Sequence, residues 1–148
     1  MSRRALTAPV GIAGLGVYRP ERVMTAAELG ERAGIPEEVV REKFGLREKR
    51  IAGEGEHVSD MAAEAGRRAL EDASRRTGRT IDAAEIDAVV YFGSMYKDYR
   101  NWLAAPRIQH LVGAEEAWSF DLSGASAGGP VALRVAADLV SSRPDVDL

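Results

Sequence analysis

The residues with most chemical promise lie in Phe120-Asp-Leu-Ser-Gly-Ala-Ser-Ala-Gly-Gly129, where an apolar run gives way to small residues and then to a second apolar run. Small residues there let a substrate come close to the backbone. Ser126 falls at or just before the expected start of a helix, where unpaired N–H groups and the positive end of the helix dipole favour developing negative charge. A nucleophile in that place has its anionic form stabilised, and the same N–H groups can help to hold an oxyanion. A hydroxyl, however, needs an adjacent base. Neither histidine offers itself as one: His57 precedes a helix and His110 lies on one, and both read as isolated surface or satisfied positions. Gly14 and Gly16 begin what could be a dinucleotide fingerprint, but the third glycine is missing and no helix follows at once. A close-packed core strand is the better account.

The elements that must position Ser126 follow from hydrophobic period and breakers. Val10 to Val17 alternates apolar and small residues before Tyr18-Arg19-Pro20 and reads as a first core strand, not the apolar part of an export signal after Met1-Ser2-Arg3-Arg4. Thr25 can cap a short helix over Ala26 to Arg32 that Gly34 ends, and Pro36 opens another over Glu37 to Lys43 that Gly45 stops. Phe44 to Ile51 reads as an extended, partly exposed connection. Met61, Ala62, Ala65, Gly66, Ala69, Leu70 and Ala73 share one helical face between Ser59 and about Thr77, and their small size predicts a closely packed neighbour. Ala88 to Phe92 is a short apolar run of the kind found in strands buried on both faces. A helix over Ala104 to Leu111, a strand over Ala117 to Leu122 and a nearly all-apolar helix over Val131 to Val140 complete the order. Strands alternating with helices predict an α/β fold with a mainly parallel sheet and a buried last helix. Pro144 to Leu148 repeats the polar lead-in to a buried strand.

The 148 residues suit one domain or part of one. An apolar share of 45%, a charged share of 29% and a net charge of −3 are ordinary for a globular chain and argue against a nucleic-acid partner. No apolar run approaches the roughly 20 residues of a membrane span, so a cytoplasmic protein is expected. There is no cysteine, which excludes disulfides and cysteine-based metal sites. Arg67, Arg68, Arg75, Arg76 and Arg79 fall on the polar side of an amphipathic helix or just past it and read as a solvated face.

Four stretches carry a more specific likeness: Gly14-Leu-Gly-Val-Tyr-Arg-Pro20, Phe44-Gly-Leu-Arg-Glu-Lys-Arg-Ile51, Ala104-Ala-Pro-Arg-Ile-Gln-His-Leu-Val-Gly113 and Asp121-Leu-Ser-Gly-Ala-Ser-Ala-Gly128. In this order the chain resembles the ketoacyl-acyl-carrier-protein synthase III family of thiolase-like condensing enzymes, essentially throughout. The resemblance implies the first of two similar halves of a thiolase-like α/β fold. It places Ser126 where the family normally has a cysteine that takes an acyl group from coenzyme A or acyl-carrier protein as a thioester. It assigns the completing histidine and asparagine to the second half, which this chain does not contain, so the chain alone is expected to be inactive.

The resemblance also implies that a basic residue and a tryptophan before the Phe-Gly-Leu-Arg motif grip the coenzyme A nucleotide. The basic position matches Lys43, Val39 replaces the aromatic platform, and Arg41 is a nearby candidate. The loop Met95-Tyr-Lys-Asp-Tyr-Arg-Asn-Trp102 corresponds to one that reaches across a dimer to line the partner's acyl tunnel. That makes Tyr96, Tyr99, Asn101 and Trp102 acyl-pocket or dimer candidates. The acidic residue that hydroxymethylglutaryl-coenzyme A synthases place near Gly93 to Met95 is absent, which disfavours aldol-type chemistry. Three readings stay open: a serine enzyme forming an oxyester, a non-catalytic homologue that binds acyl thioesters or a partner, and a nucleophile removed by mutation. The expected partners are an acyl thioester and either a second copy or a complementary chain, with no bound cofactor and no metal. The acyl-transfer reading further requires the Ser126 hydroxyl to face a hollow.

Overall fold

The computed structural model describes residues 9–93 and 97–148; Tyr96 and Met95, and the opening Met1-Ser2-Arg3-Arg4, lie outside the described residues. The chain divides into two compact units, the smaller over Arg19–Glu56 and the larger over the residues up to Tyr18 together with His57–Leu148.

In the smaller unit, β1 (Val23–Thr25) leads directly into α1 (Ala26–Ala33), which is followed by α2 (Glu37–Glu42) and β2 (Glu48–Arg50). Thr25 caps α1 through a reciprocal pair of bonds with Glu28, the Glu28 amide to the Thr25 hydroxyl at 3.3 Å and the Thr25 amide to the Glu28 carboxylate at 2.7 Å. Those bonds hold the Glu28 carboxyl below its ordinary value, the Thr25 amide contributing most. The connection expected after Phe44 is ordered further than its sequence implies: β2 pairs antiparallel with β1, Met24 opposite Lys49. Met24, Ala26 and Val40 are buried.

The larger unit is built on α3 (Val58–Thr77), β3 (Ala88–Gly93), α4 (Ala104–Val112), β4 (Trp118–Ser123) and α5 (Gly128–Ser142). β3 and β4 pair in parallel, Val90 opposite Phe120 and Gly93 opposite Ser123, with α4 as the crossover between them. The small face of α3 finds its neighbour in α4: a Cβ on Gly66 would lie 3.2 Å from a Val112 methyl, and the Arg67 guanidinium donates to the Leu111 carbonyl at 2.8 Å. Ala63, Ala73, Ala104, Ala105 and Ile108 form the buried core around this contact.

The arginines expected as a solvated face are exposed, and on that face they also pair. Arg68 pairs with Glu64, donates to the Val17 carbonyl at 2.8 Å and lies over the Tyr18 ring. Arg75 and Arg76 pair with Asp72, and Arg79 pairs with Glu85.

Three expectations are corrected. The segment Val10 to Val17 is not a hydrogen-bonded strand. Gly14 and Gly16 do pack closely, since a Cβ on either would collide with α3 backbone at Ala69 and Ala73 or at Ala65 and Ala69. The Leu15 amide is held by the Asp72 carboxylate at 3.0 Å. Yet among the described residues no strand pairs with it, and Ile12, Leu15 and Val17 stay exposed. Helix α5 is not buried either: it rests on β3, β4 and the turn before it, burying Gly128 and Ala132, while Leu133 is 62% exposed. A hollow of about 610 Å³ runs beside it, lined among others by Ile12, Ala136, Val140 and Leu148. For the same reason β3 is only half-buried, and Phe92 is exposed. The lead-in expected at Pro144 to Leu148 does approach the sheet: Val146 is buried, and the Leu148 carbonyl accepts from the Asp87 amide at 2.9 Å.

Candidate functional site

Ser126 sits in the middle of a single 3₁₀ turn, Ala125–Ala127, that joins the end of β4 to the start of α5. The expected handover from strand to helix is therefore met. The turn is closed by the Ala127 amide donating to the Gly124 carbonyl at 3.0 Å. Its first residue, Ala125, has φ 43°, left-handed backbone that a non-glycine residue adopts at a cost on the order of 1–3 kcal/mol. Neither the turn nor α5 has a side-chain cap, so the first N–H groups of α5 are left to other partners. Gly128 and Gly129 open α5 without side chains because the Phe92 ring lies over them: a Cβ on Gly128 would be 2.8 Å from that ring and one on Gly129 3.1 Å.

The surroundings of Ser126 depart from expectation in one respect. The residue is exposed, and it lines neither the hollow beside α5 nor the cavity formed by residues 97–103. The apolar surface around the turn is likewise open: Phe92 beneath the start of α5 and Val131 in its first turn are each 45% exposed among the described residues.

The second group of candidates is more tightly organised. Residues 97–103 line a cavity of about 800 Å³ that includes Tyr99, Asn101 and Trp102. Tyr99 and Trp102 meet edge to face at 5.4 Å, and His57 stands beside Tyr99 at 6.1 Å, so that histidine is a ring neighbour of the loop. Asn101 is left-handed, with φ 51°. Asp98 reaches down to α3, accepting from both the hydroxyl and the amide of Ser59, which is fully buried.

Lys97 of the loop and the start of α4 that follows it converge on Asp121, in the middle of β4. Its carboxylate, 6% exposed, accepts from the Lys97 ammonium and from the amides of Ala104, at 3.0 Å, and Ala105, at 2.8 Å. Burial by itself would raise the Asp121 pKa. The bond from Lys97, the two amides and the Lys97 charge outweigh it and leave the carboxyl below its ordinary value. The neighbouring Tyr91 hydroxyl is pushed up, by burial first and then by the charges of Asp121 and Asp98. Sequence reasoning passed over Asp121, Lys97 and Ala125. A lone acid inside the run Phe120-Asp-Leu122 is the signal that was available, because an acid inside an apolar strand must have partners.

The nucleotide-binding candidates lie in the smaller unit. Lys43 is exposed at the end of α2. Arg41 is exposed and paired with Glu37 one turn away at 2.6 Å, the ordinary condition of a helix-surface cation.

No protein-family model matches the chain. Individual relatives do. The β-ketoacyl-acyl-carrier-protein synthase III of Roseiflexus castenholzii is 39% identical over 131 residues, covering 88% of this chain. Over the stretch it shares, the chain is a homologue of the β-ketoacyl-acyl-carrier-protein synthases III. The chain spans 38% of the length of that relative. Among solved structures, the priming β-ketosynthase of a polyketide biosynthetic pathway matches with a TM-score of 0.78 at 38% identity, over 88% of this chain and 37% of that one. A cysteine-to-serine variant of Xanthomonas campestris OleA, solved with bound lauric acid and lauroyl-coenzyme A, matches with a TM-score of 0.76 at 26% identity, over 92% of this chain and 41% of that one. The α/β architecture is thus thiolase-like, and the parallel pair β3 and β4 with α5 behind it is the part of that fold that delivers Ser126.

Proposed function

We propose that these residues form the nucleophile-bearing part of a cytoplasmic, thiolase-like enzyme of fatty acid or polyketide synthesis. Ser126 takes an acyl group from a coenzyme A or carrier-protein thioester. The observation that carries the reading is the strained 3₁₀ turn holding Ser126 at the uncapped start of α5, at the end of a parallel strand. In the transfer, the Ser126 oxygen bonds to the thioester carbonyl carbon, the carbon–sulfur bond breaks and the thiol leaves with a proton. The proton lost by the hydroxyl passes to a base, which the family resemblance assigns to a histidine in the other half of the fold. The N–H groups at the start of α5 are suited to hold the oxyanion formed on the way. An acceptor nucleophile, or a decarboxylating malonyl unit, then removes the acyl group from Ser126. In this reading the exposed surface around Phe92, Val131 and Leu133 is covered by the other half of the fold or by a complementary chain. The 97–103 loop lines the acyl pocket or meets a second copy, and Lys43 with Arg41 holds the nucleotide.

A second reading is favoured by one observation. Ser126 stands exposed, among the described residues no hydrogen bond joins its hydroxyl to a base, and the serine variant of OleA was solved with lauroyl-coenzyme A bound. A homologue that binds acyl thioesters without turning them over, as a scaffolding subunit, would look the same. Intact-mass measurement of the full-length protein after incubation with acyl-coenzyme A separates the two. An acyl adduct that maps to Ser126 and is lost in Ser126→Ala supports transfer. Retained binding with no adduct supports the scaffold.

A further inference from the structure

We propose that Asp121 is a positioning residue that clamps the 97–103 loop to the strand delivering Ser126 and so sets which acyl groups the loop cavity accepts, an inference that rests on the acyl-transfer reading above. Lys97, within the loop, and Ala104, the first residue of α4 after it, are bound by the same carboxylate. The clamp is continued inside the loop, where the Lys97 ammonium also donates to the Trp102 carbonyl at 3.3 Å. Helix α4 supplies no cap of its own, because its cap position is Leu103. A local serine or aspartate would satisfy those first amides as well. Here the cap comes instead from β4, five residues before Ser126. The aromatic wall of Tyr99 and Trp102, the left-handed Asn101 and the start of α4 are thereby referred to the strand that carries the nucleophile. The second tether, Asp98 on Ser59, fixes the loop to α3 but not to that strand.

The chain has two tryptophans, Trp102 and Trp118, so Trp118→Phe leaves Trp102 as the sole emitter. In that background Asp121→Asn removes the charge and keeps one acceptor oxygen. Lys97→Met cuts the loop end of the clamp and leaves both backbone bonds to Asp121 in place, which covers the case in which Asp121→Asn does not fold. Acrylamide quenching of Trp102 is expected to rise about twofold or more in each, with helix content unchanged, as a charge-assisted bond is lost. In the full-length protein each substitution is expected to raise KM for longer acyl thioesters about tenfold, and to raise it less for the shortest acyl group. Unchanged quenching in both variants overturns the clamp. So does an equal fall in kcat for every acyl length with KM unmoved, the signature of a residue that only stabilises the fold. Absence of turnover in the unsubstituted full-length protein removes the acyl-transfer reading instead, and quenching alone then decides the clamp.

Discussion

The turn that carries Ser126 and the loop that carries Tyr99, Asn101 and Trp102 are shaped by opposite means. The loop is held by side chains: a buried carboxylate that binds Lys97 and the start of α4, a second carboxylate on Ser59 and an aromatic pair. The turn is held by backbone and by the absence of side chains, with amide-to-carbonyl bonds from Ala127 to Gly124 and from Gly128 to Ala125, a left-handed Ala125 and glycines at 124, 128 and 129. A loop built from charges presents a shaped surface of its own. A turn built from small residues keeps the surroundings of one hydroxyl open for whatever approaches it.

The contrast breaks most sharply at Asp121. Asp121→Ala leaves the Lys97 ammonium and two α4 amides without their acceptor, and should cost about 3 kcal/mol in denaturant unfolding. A loss below about 1 kcal/mol would mean that water replaces the carboxylate easily and that the loop is not charge-built. Gly124→Val tests the turn in the same way. Its Cβ would lie 3.0 Å from the Gly128 Cα, a backbone atom that cannot rotate aside, so about 2 kcal/mol of overpacking is expected, together with a local change at the start of α5 visible in hydrogen exchange. Full stability in that variant would show that the turn tolerates bulk.

A smaller effect is expected from pH. The folded Asp121 carboxyl lies below its ordinary value of 3.8, so its contribution is complete above that value and fades as pH falls through it and on through the lower folded value. Thermal melts of the unsubstituted chain should therefore lose more stability on acidification than melts of Asp121→Asn. Parallel pH profiles for the two would remove Asp121 from the clamp.

What could be read in the sequence divides along the same line. The Thr25 cap, the Gly34 stop and the small face of α3 were legible because their causes lie within a turn or two of the chain. Ser126 was legible by position, since a change from apolar to small residues marks a strand giving way to a helix. The clamp was not, because Asp121 finds its partners 24, 17 and 16 residues away, across a parallel strand pair. Apolar composition predicted burial for α5 and a ladder for Val10 to Val17. Composition states what an element could cover and not which neighbour is at hand, and both remain exposed on one side.

The central claim is that the β4 to α5 turn presents residue 126 in acylation-ready geometry. Ser126→Cys in the full-length protein tests it most directly, because a thiol is partly ionised near neutral pH and needs less help from a base. Mixed with acyl-coenzyme A, that variant should release a rapid burst approaching one free coenzyme A thiol per chain, with the acyl group retained on residue 126. A folded Ser126→Cys protein that binds the thioester yet gives no burst would contradict the account.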